Sequence, residues 1–156
     1  MSKTAQYQEV HQQINAVISG ETSRTARFAT AVCLLSQSFA PRYYWTGFYE
    51  VDPHKKDELV VGPYQGTLGC LRIAFSRGVC GAAARTGKTQ LVDDVHAVKD
   101  HIACDSASNS EIVVPVFDPS GQLCAVLDVD STQANAFDAV DQAGLEAICA
   151  DLLVRA

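Results

Sequence analysis

Three of the six cysteines lie in glycine-rich or polar turns: Leu-Gly-Cys70-Leu-Arg-Ile, Gly-Val-Cys80-Gly-Ala-Ala and His101-Ile-Ala-Cys104-Asp-Ser-Ala-Ser-Asn-Ser-Glu111. A thiol in such a turn can be reached by solvent and by other thiols, whereas one on the apolar stripe of a helix cannot. The other three read as packing. Cys33 sits among Ala29, Val32 and Leu35, Cys149 falls in the spacing of Leu145, Ile148 and Leu152, and Cys124 lies inside an apolar strand; a buried thiol there behaves as a small hydrophobe. The residues leave the choice of nucleophile open. Cys80 begins a short helix, whose free N–H groups and dipole would stabilise a thiolate. Cys104 stands beside Asp105 and near Asp100 and Glu111, and nearby carboxylates raise a thiol pKa unless a donor compensates.

Carboxylates and aromatics supply the rest of the chemistry. Asp128 and Asp130 share one face of a strand, with Leu127 and Val129 on the other. Two like charges held together cost energy unless a cation or a proton sits between them, so the pair suggests ammonium binding or proton handling. A solvated strand end would give the same pattern. Glu111 adds a third carboxylate, able to protonate a leaving oxygen if burial and the two aspartates raise its pKa. Trp45 and Tyr49 also share a face, and Gly47 between them leaves a gap for a small apolar group; two ordinary core aromatics are the competing reading. The cysteine spacing contains no Cys-x2-Cys pair, and His96 and His101 supply no short-spaced partner ligands, so no metal is expected. Both histidines are placed outside the site, as loop or structural residues.

These side chains need a frame. Val10, Ile14, Val17 and Ile18 fall at helical spacing over residues 7 to 18, as do Phe28, Val32, Leu35 and Phe39 over 23 to 39, where Pro41 ends the helix. Strands are expected at 43–51 and 58–64 around an Asp52-Pro53 hairpin loop, then at 71–75. A short Ala-rich helix spans about 79–85 and stops at Gly87. Residues 90–95 form a further strand, and 96–110 read as a loop able to fold over a site. Strands 112–117 and 123–129 flank the turn Asp118-Pro-Ser-Gly121, and a helix over 138–154 closes the chain. This order predicts an α+β domain: a largely antiparallel six-strand sheet with the long helices on one face and a ligand cleft under loops on the other.

Composition narrows the class. At 156 residues and 47% apolar content the chain is one domain, 1–156, with a single core. A net charge of −6 with scattered Lys and Arg argues against nucleic acid as a partner. Neither an export signal nor a membrane span is evident, so a cytoplasmic protein with reduced thiols is expected.

The run Tyr-Trp45-Thr-Gly-Phe-Tyr49, the Gly-Pro-Tyr-Gln-Gly segment, Gly-Val-Cys80-Gly, Gln90-Leu-Val-Asp-Asp-Val-His96, the His101–Glu111 segment continuing Ile-Val-Val-Pro, and Leu-Asp128-Val-Asp130-Ser closely resemble the free methionine-R-sulfoxide reductases, single GAF-domain enzymes. The resemblance covers residues 43 to 138 almost continuously. It implies that Cys104 is the catalytic cysteine, Cys80 the resolving one, and Cys70 a third thiol that exchanges during recycling. It further implies that Glu111, Asp128 and Asp130 surround the polar part of the substrate, and Trp45 with Tyr49 its methyl group.

The implied reaction is attack of the Cys104 thiolate on the sulfoxide sulfur, with Glu111 or Asp130 protonating the departing oxygen. A sulfenic acid forms, Cys80 or Cys70 converts it to a disulfide, and thioredoxin or another external dithiol reduces it, with no bound cofactor. Asp128 is the expected partner of the substrate ammonium, and loop N–H groups of Ala107, Ser108, Asn109 and Ser110 of its carboxylate. GAF domains commonly dimerise through helices like these, so the resemblance admits a homodimer. The alternative function is a non-catalytic, redox-sensitive GAF module that binds a small ligand.

Overall fold

The computed structural model describes residues 1–101 and 106–153. Its elements run α1 (Lys3–Ile18), α2 (Arg24–Ser38), β1 (Trp45–Val51), β2 (Glu58–Gln65), β3 (Arg72–Ala74), α3 (Gly78–Thr86), β4 (Gln90–Val92), β5 (Ser110–Phe117), β6 (Leu123–Ser131) and α4 (Ala139–Asp151). The six strands form one sheet in the order β3-β2-β1-β6-β5-β4, and every neighbouring pair is antiparallel.

Strand alternation sorts the sheet into two faces. Phe48 of β1, Ile112, Val114 and Val116 of β5, and Leu127 and Val129 of β6 join one core with the apolar stripes of α1, α2 and α4, including Ile14, Phe28, Leu35, Leu145 and Ile148. The three long helices therefore lie on one face, as the periodicity requires. Phe28 stacks on Phe48 with ring centroids 4.0 Å apart, fixing α2 over β1. Each helix starts at a side-chain cap: Ser2 accepts from the Ala5 N–H, Ser23 from that of Ala26, and Asp138 forms a capping box with Asp141. Each cap is worth about 1 kcal/mol.

Arg27 breaks the apolar pattern of α2 and is nevertheless buried. Its guanidinium donates to the carbonyls of Ile18, Glu21 and Leu152, so one side chain satisfies orphan carbonyls at the ends of α1 and α4. The last helix ends at Asp151, short of the expected 154.

Among the described residues the opposite face carries only α3 and loops. Trp45, Tyr49, Ile73, Val79, Cys80, Ala83, Val113 and Val126 make a second, smaller core there. Gly81 lets α3 approach the end of β3, because a Cβ at that position would lie 2.7 Å from the carbonyl oxygens of Ala74 and Phe75. That contact sets Cys80 down onto the sheet.

Candidate active site

A cavity of about 40 Å³ opens on the α3 face, lined by Trp45, Tyr49, Leu68, Gly69, Ile73, Gly78, Val79, Cys80, His101, Ser108, Glu111, Asp128 and Asp130. Sheet register builds its floor in rows. Trp45 lies opposite Asp130, and Asp130 opposite Glu111, so one row crosses β1, β6 and β5; the next row is Gly47, Asp128, Val113. Three carboxylates thus converge because they occupy alternate positions of adjacent strands.

The aromatic wall differs from the expectation. Gly47 leaves no open gap: a Cβ there would lie 2.3 Å from the Tyr64 Cβ and 2.7 Å from the outer ring of Trp45. The indole fills that space, stacked between Tyr49 at 5.6 Å and Tyr64 at 5.1 Å. Its Nε1 donates to the Thr67 carbonyl at 2.9 Å, tying the β2–β3 loop over the pocket. The Gly47 position thus accommodates the tryptophan, and the apolar wall facing the cavity is made by Trp45, Tyr49, Leu68 and Ile73.

The carboxylates are electrostatically unequal. Burial first, then the charges of Asp130 and Glu111, hold Asp128 well above the usual carboxylate range. Burial also pushes Glu111 upward, but hydrogen bonds with Asp128 and His101 outweigh it, so Glu111 sits below its ordinary value. The upward shift at Asp128 is the direction that suits a proton donor, whereas Glu111 is shifted the other way. His101 belongs to the site after all, with Nε2 3.5 Å from Glu111 Oε1.

Cys80 is 4% exposed, a free thiol. Burial, followed by Asp128, Glu111 and Asp130, drives its pKa well above that of an ordinary cysteine. Desolvation and three carboxylates overwhelm the helix-terminus field that alone would favour a thiolate, so Cys80 is not the poised nucleophile its helical position suggests. The division into accessible and buried cysteines also shifts: Cys124 and Cys149 are buried as expected, Cys80 is buried too, and Cys33 is half-buried. Cys70 is half-buried and disulfide-bonded. Cys104 lies outside the described residues.

Of the loop residues expected around the substrate carboxylate, Ser108 lines the cavity, and Ala107 is exposed beside it. Asn109 and Ser110 turn elsewhere. The Asn109 N–H donates to the Ser131 carbonyl and its side chain to the Thr132 carbonyl at 2.6 Å, while the Ser110 hydroxyl donates to the Gln133 carbonyl at 2.6 Å. These bonds close the β5–β6 end of the sheet. Leu68, Gly69, Ile73, Gly78 and Val79 had no spacing signal that could have placed them in the pocket.

The arrangement, an apolar aromatic wall facing a carboxyl cluster in which Asp128 is shifted well up, can hold a small amphipathic molecule and deliver a proton to it. Comparison with known proteins agrees. The GAF domain family model matches residues 26–153. A free methionine-R-sulfoxide reductase of Escherichia coli is 42% identical over 152 residues, covering 97% of this chain and 89% of that protein. The chain belongs to the GAF-domain family of free methionine-R-sulfoxide reductases. It is thus an oxidoreductase of α+β GAF architecture. The X-ray structure of the free methionine-R-sulfoxide reductase from Neisseria meningitidis in complex with its substrate superimposes with a TM-score of 0.93 at 45% identity, covering 99% of this chain and 90% of that one. The reduced form of the Staphylococcus aureus enzyme gives 0.85 at 38% identity, over 92% and 90% of the two chains. Among the described residues no helix is long and apolar enough to cross a membrane.

Proposed function

We propose that this protein reduces free methionine (R)-sulfoxide to methionine, with Cys104 as the attacking thiol and Cys70 as the thiol that closes the disulfide. The observation that carries the cysteine assignment is the contrast between Cys70, which is disulfide-bonded, and Cys80, which is buried and free with its thiol held protonated by burial and its carboxylate neighbours. The names of the relatives supply the substrate.

In this reading Trp45 and Tyr49 seat the methyl group and the carboxyl cluster faces the sulfoxide oxygen. The Cys104 thiolate bonds to the sulfoxide sulfur as Asp128 gives its proton to the oxygen; the hydroxyl then moves from the substrate sulfur to the Cys104 sulfur while the new S–S bond breaks, leaving a sulfenic acid on Cys104 and releasing methionine. The Cys70 thiol then attacks that sulfur and water leaves. One sulfoxide and two thiols become one thioether, one disulfide and one water. An external dithiol protein of the thioredoxin type, in a reducing compartment such as the cytoplasm, restores the thiols. Asp130, half-buried at the pocket edge, replaces Asp128 as partner of the substrate ammonium, and Ser108 stands on the side of its carboxylate.

A serine series tests the assignment. Cys104→Ser gives no methionine even with excess reductant, because a hydroxyl is a far weaker nucleophile at neutral pH. Cys70→Ser gives one methionine per chain and then stalls with a dithiol protein as reductant, while Cys80→Ser still cycles. A stall in Cys80→Ser with cycling in Cys70→Ser would return the resolving role to Cys80.

A further inference from the structure

Among the described residues, Cys80 from α3, Glu111 from β5 and Asp128 from β6 bring a sulfur and two carboxylate oxygens within 4.8 Å of one another, all three side chains buried. Asp128 is 5% exposed and lines the cavity, and its Oδ1 has no hydrogen-bond partner among the described residues. Leaving a buried carboxyl oxygen without a partner costs free energy, and a cation bound at that oxygen would offset it.

We propose that this pocket also takes one thiophilic divalent cation of the zinc class, coordinated by Cys80 Sγ and single oxygens of Glu111 and Asp128, and that the cation excludes the sulfoxide substrate. One sulfur and two oxygens from protein, with a water completing the tetrahedron, is a donor set suited to zinc or cadmium and poorly suited to magnesium or calcium, which want oxygen alone. Bond lengths of about 2.0–2.3 Å put ligand atoms on tetrahedral zinc roughly 3.3–3.7 Å apart, so the three side chains need to close by only about 1 Å. His101 Nε2, 3.5 Å from Glu111 Oε1, is placed to orient that carboxylate from outside the coordination sphere. The cavity of about 40 Å³ has room for the ion and its water, at roughly 10–15 Å³ of such volume per water. On binding, the Cys80 proton and the proton held by Asp128 pass to solvent and the sulfur and carboxylate oxygens bond the metal, with no change of oxidation state. The spacing argument against zinc addressed structural sites of short sequence separation; this site is assembled by the fold from three distant elements.

The exclusion of substrate rests on the function proposed above, whereas the binding itself does not. Cadmium chloride is titrated into the protein carrying its Cys70 disulfide, in chelator-free buffer, and the ultraviolet sulfur-to-cadmium charge-transfer absorption is followed. The expected result is saturation at one ion per chain, loss of the absorption in Cys80→Ser, and at least about ten-fold weaker binding in Asp128→Asn, the scale of a disrupted metal ligand set. Cys33→Ala, which alters the half-buried thiol outside the pocket, leaves the titration unchanged. Absorption that survives in Cys80→Ser, or the lack of saturable binding in the parent protein, overturns the cation site. Displacement of cadmium by free methionine sulfoxide is expected in addition; cadmium held through Cys80 but indifferent to the sulfoxide overturns the exclusion and counts against the substrate assignment, not against the ligands.

Discussion

The two faces of one sheet are built from alternate residues of the same strands and are used for opposite purposes. On the helix-covered face, Phe48, Ile112, Leu127 and Val129 are wholly buried against α1, α2 and α4, and close packing makes every methylene count. On the other face the neighbouring positions carry Glu111, Asp128 and Asp130 around a thiol. A stability-minded sequence would not bury two carboxyls, one with an unpartnered oxygen, next to a cysteine. The contrast locates function where the local rules of folding are broken and stability where they are kept.

Substitutions at adjacent positions of β6 should separate the two purposes. Asp128→Asn removes the proton donor while keeping the shape, so the first turnover on free methionine sulfoxide should slow by about 10²–10⁴-fold, the usual worth of a general acid, with the urea midpoint little changed. In the parent enzyme that turnover should fall as pH rises through the elevated pKa of Asp128, since the carboxyl is the active form below it and the carboxylate is inactive above. The groups facing it are Glu111, Asp130, Cys80, Tyr49 and His101. One residue away, Leu127→Ala should do the reverse: a loss of about 2–5 kcal/mol in urea unfolding, with the chemistry retained in the molecules that remain folded.

Smaller effects sharpen the division. Trp45→Phe keeps an aromatic wall but removes the Nε1 bond to the Thr67 carbonyl. Such a bond is worth about 0.5–1.5 kcal/mol, so KM should rise by up to about ten-fold with kcat nearly preserved. Far from the pocket, the hydrogen bond from Lys3 lowers the Asp138 pKa to about 2 from 3.8. A carboxylate lowered in the folded state stabilises it fully above the ordinary pKa and loses that contribution as pH falls through the folded value. Lys3→Met should therefore flatten the loss of stability between about pH 4 and 2 and leave activity at neutral pH untouched.

Periodicity and alternation made most of the frame legible. The apolar stripes of the three long helices, the capping of α3 at Gly87 and the shared face of Asp128 and Asp130 all follow from local geometry and stand in the structure, except that Val17 of the first stripe faces solvent and Tyr7 takes a place in the core instead. What escaped depends on long-range approach. Nothing in Gly-Val-Cys80-Gly says that α3 settles onto the sheet, so the burial and raised pKa of Cys80 were invisible. Gly47 marks a gap in the chain that only the folded Trp45 ring shows to be filled. His101 has no periodic context, and only the path of its loop brings it to Glu111. The opposite shifts of Glu111 and Asp128 are set by three-dimensional neighbours that a list of acidic residues cannot rank.

The most direct measurement mixes fully reduced protein with excess free methionine (R)-sulfoxide without reductant, then counts methionine and titratable thiols and maps any disulfide. One methionine per chain, a fall from six thiols to four and a Cys70–Cys104 linkage is the predicted result. Sulfoxide bound with all six thiols intact and no methionine formed would contradict it and leave a ligand-binding GAF module.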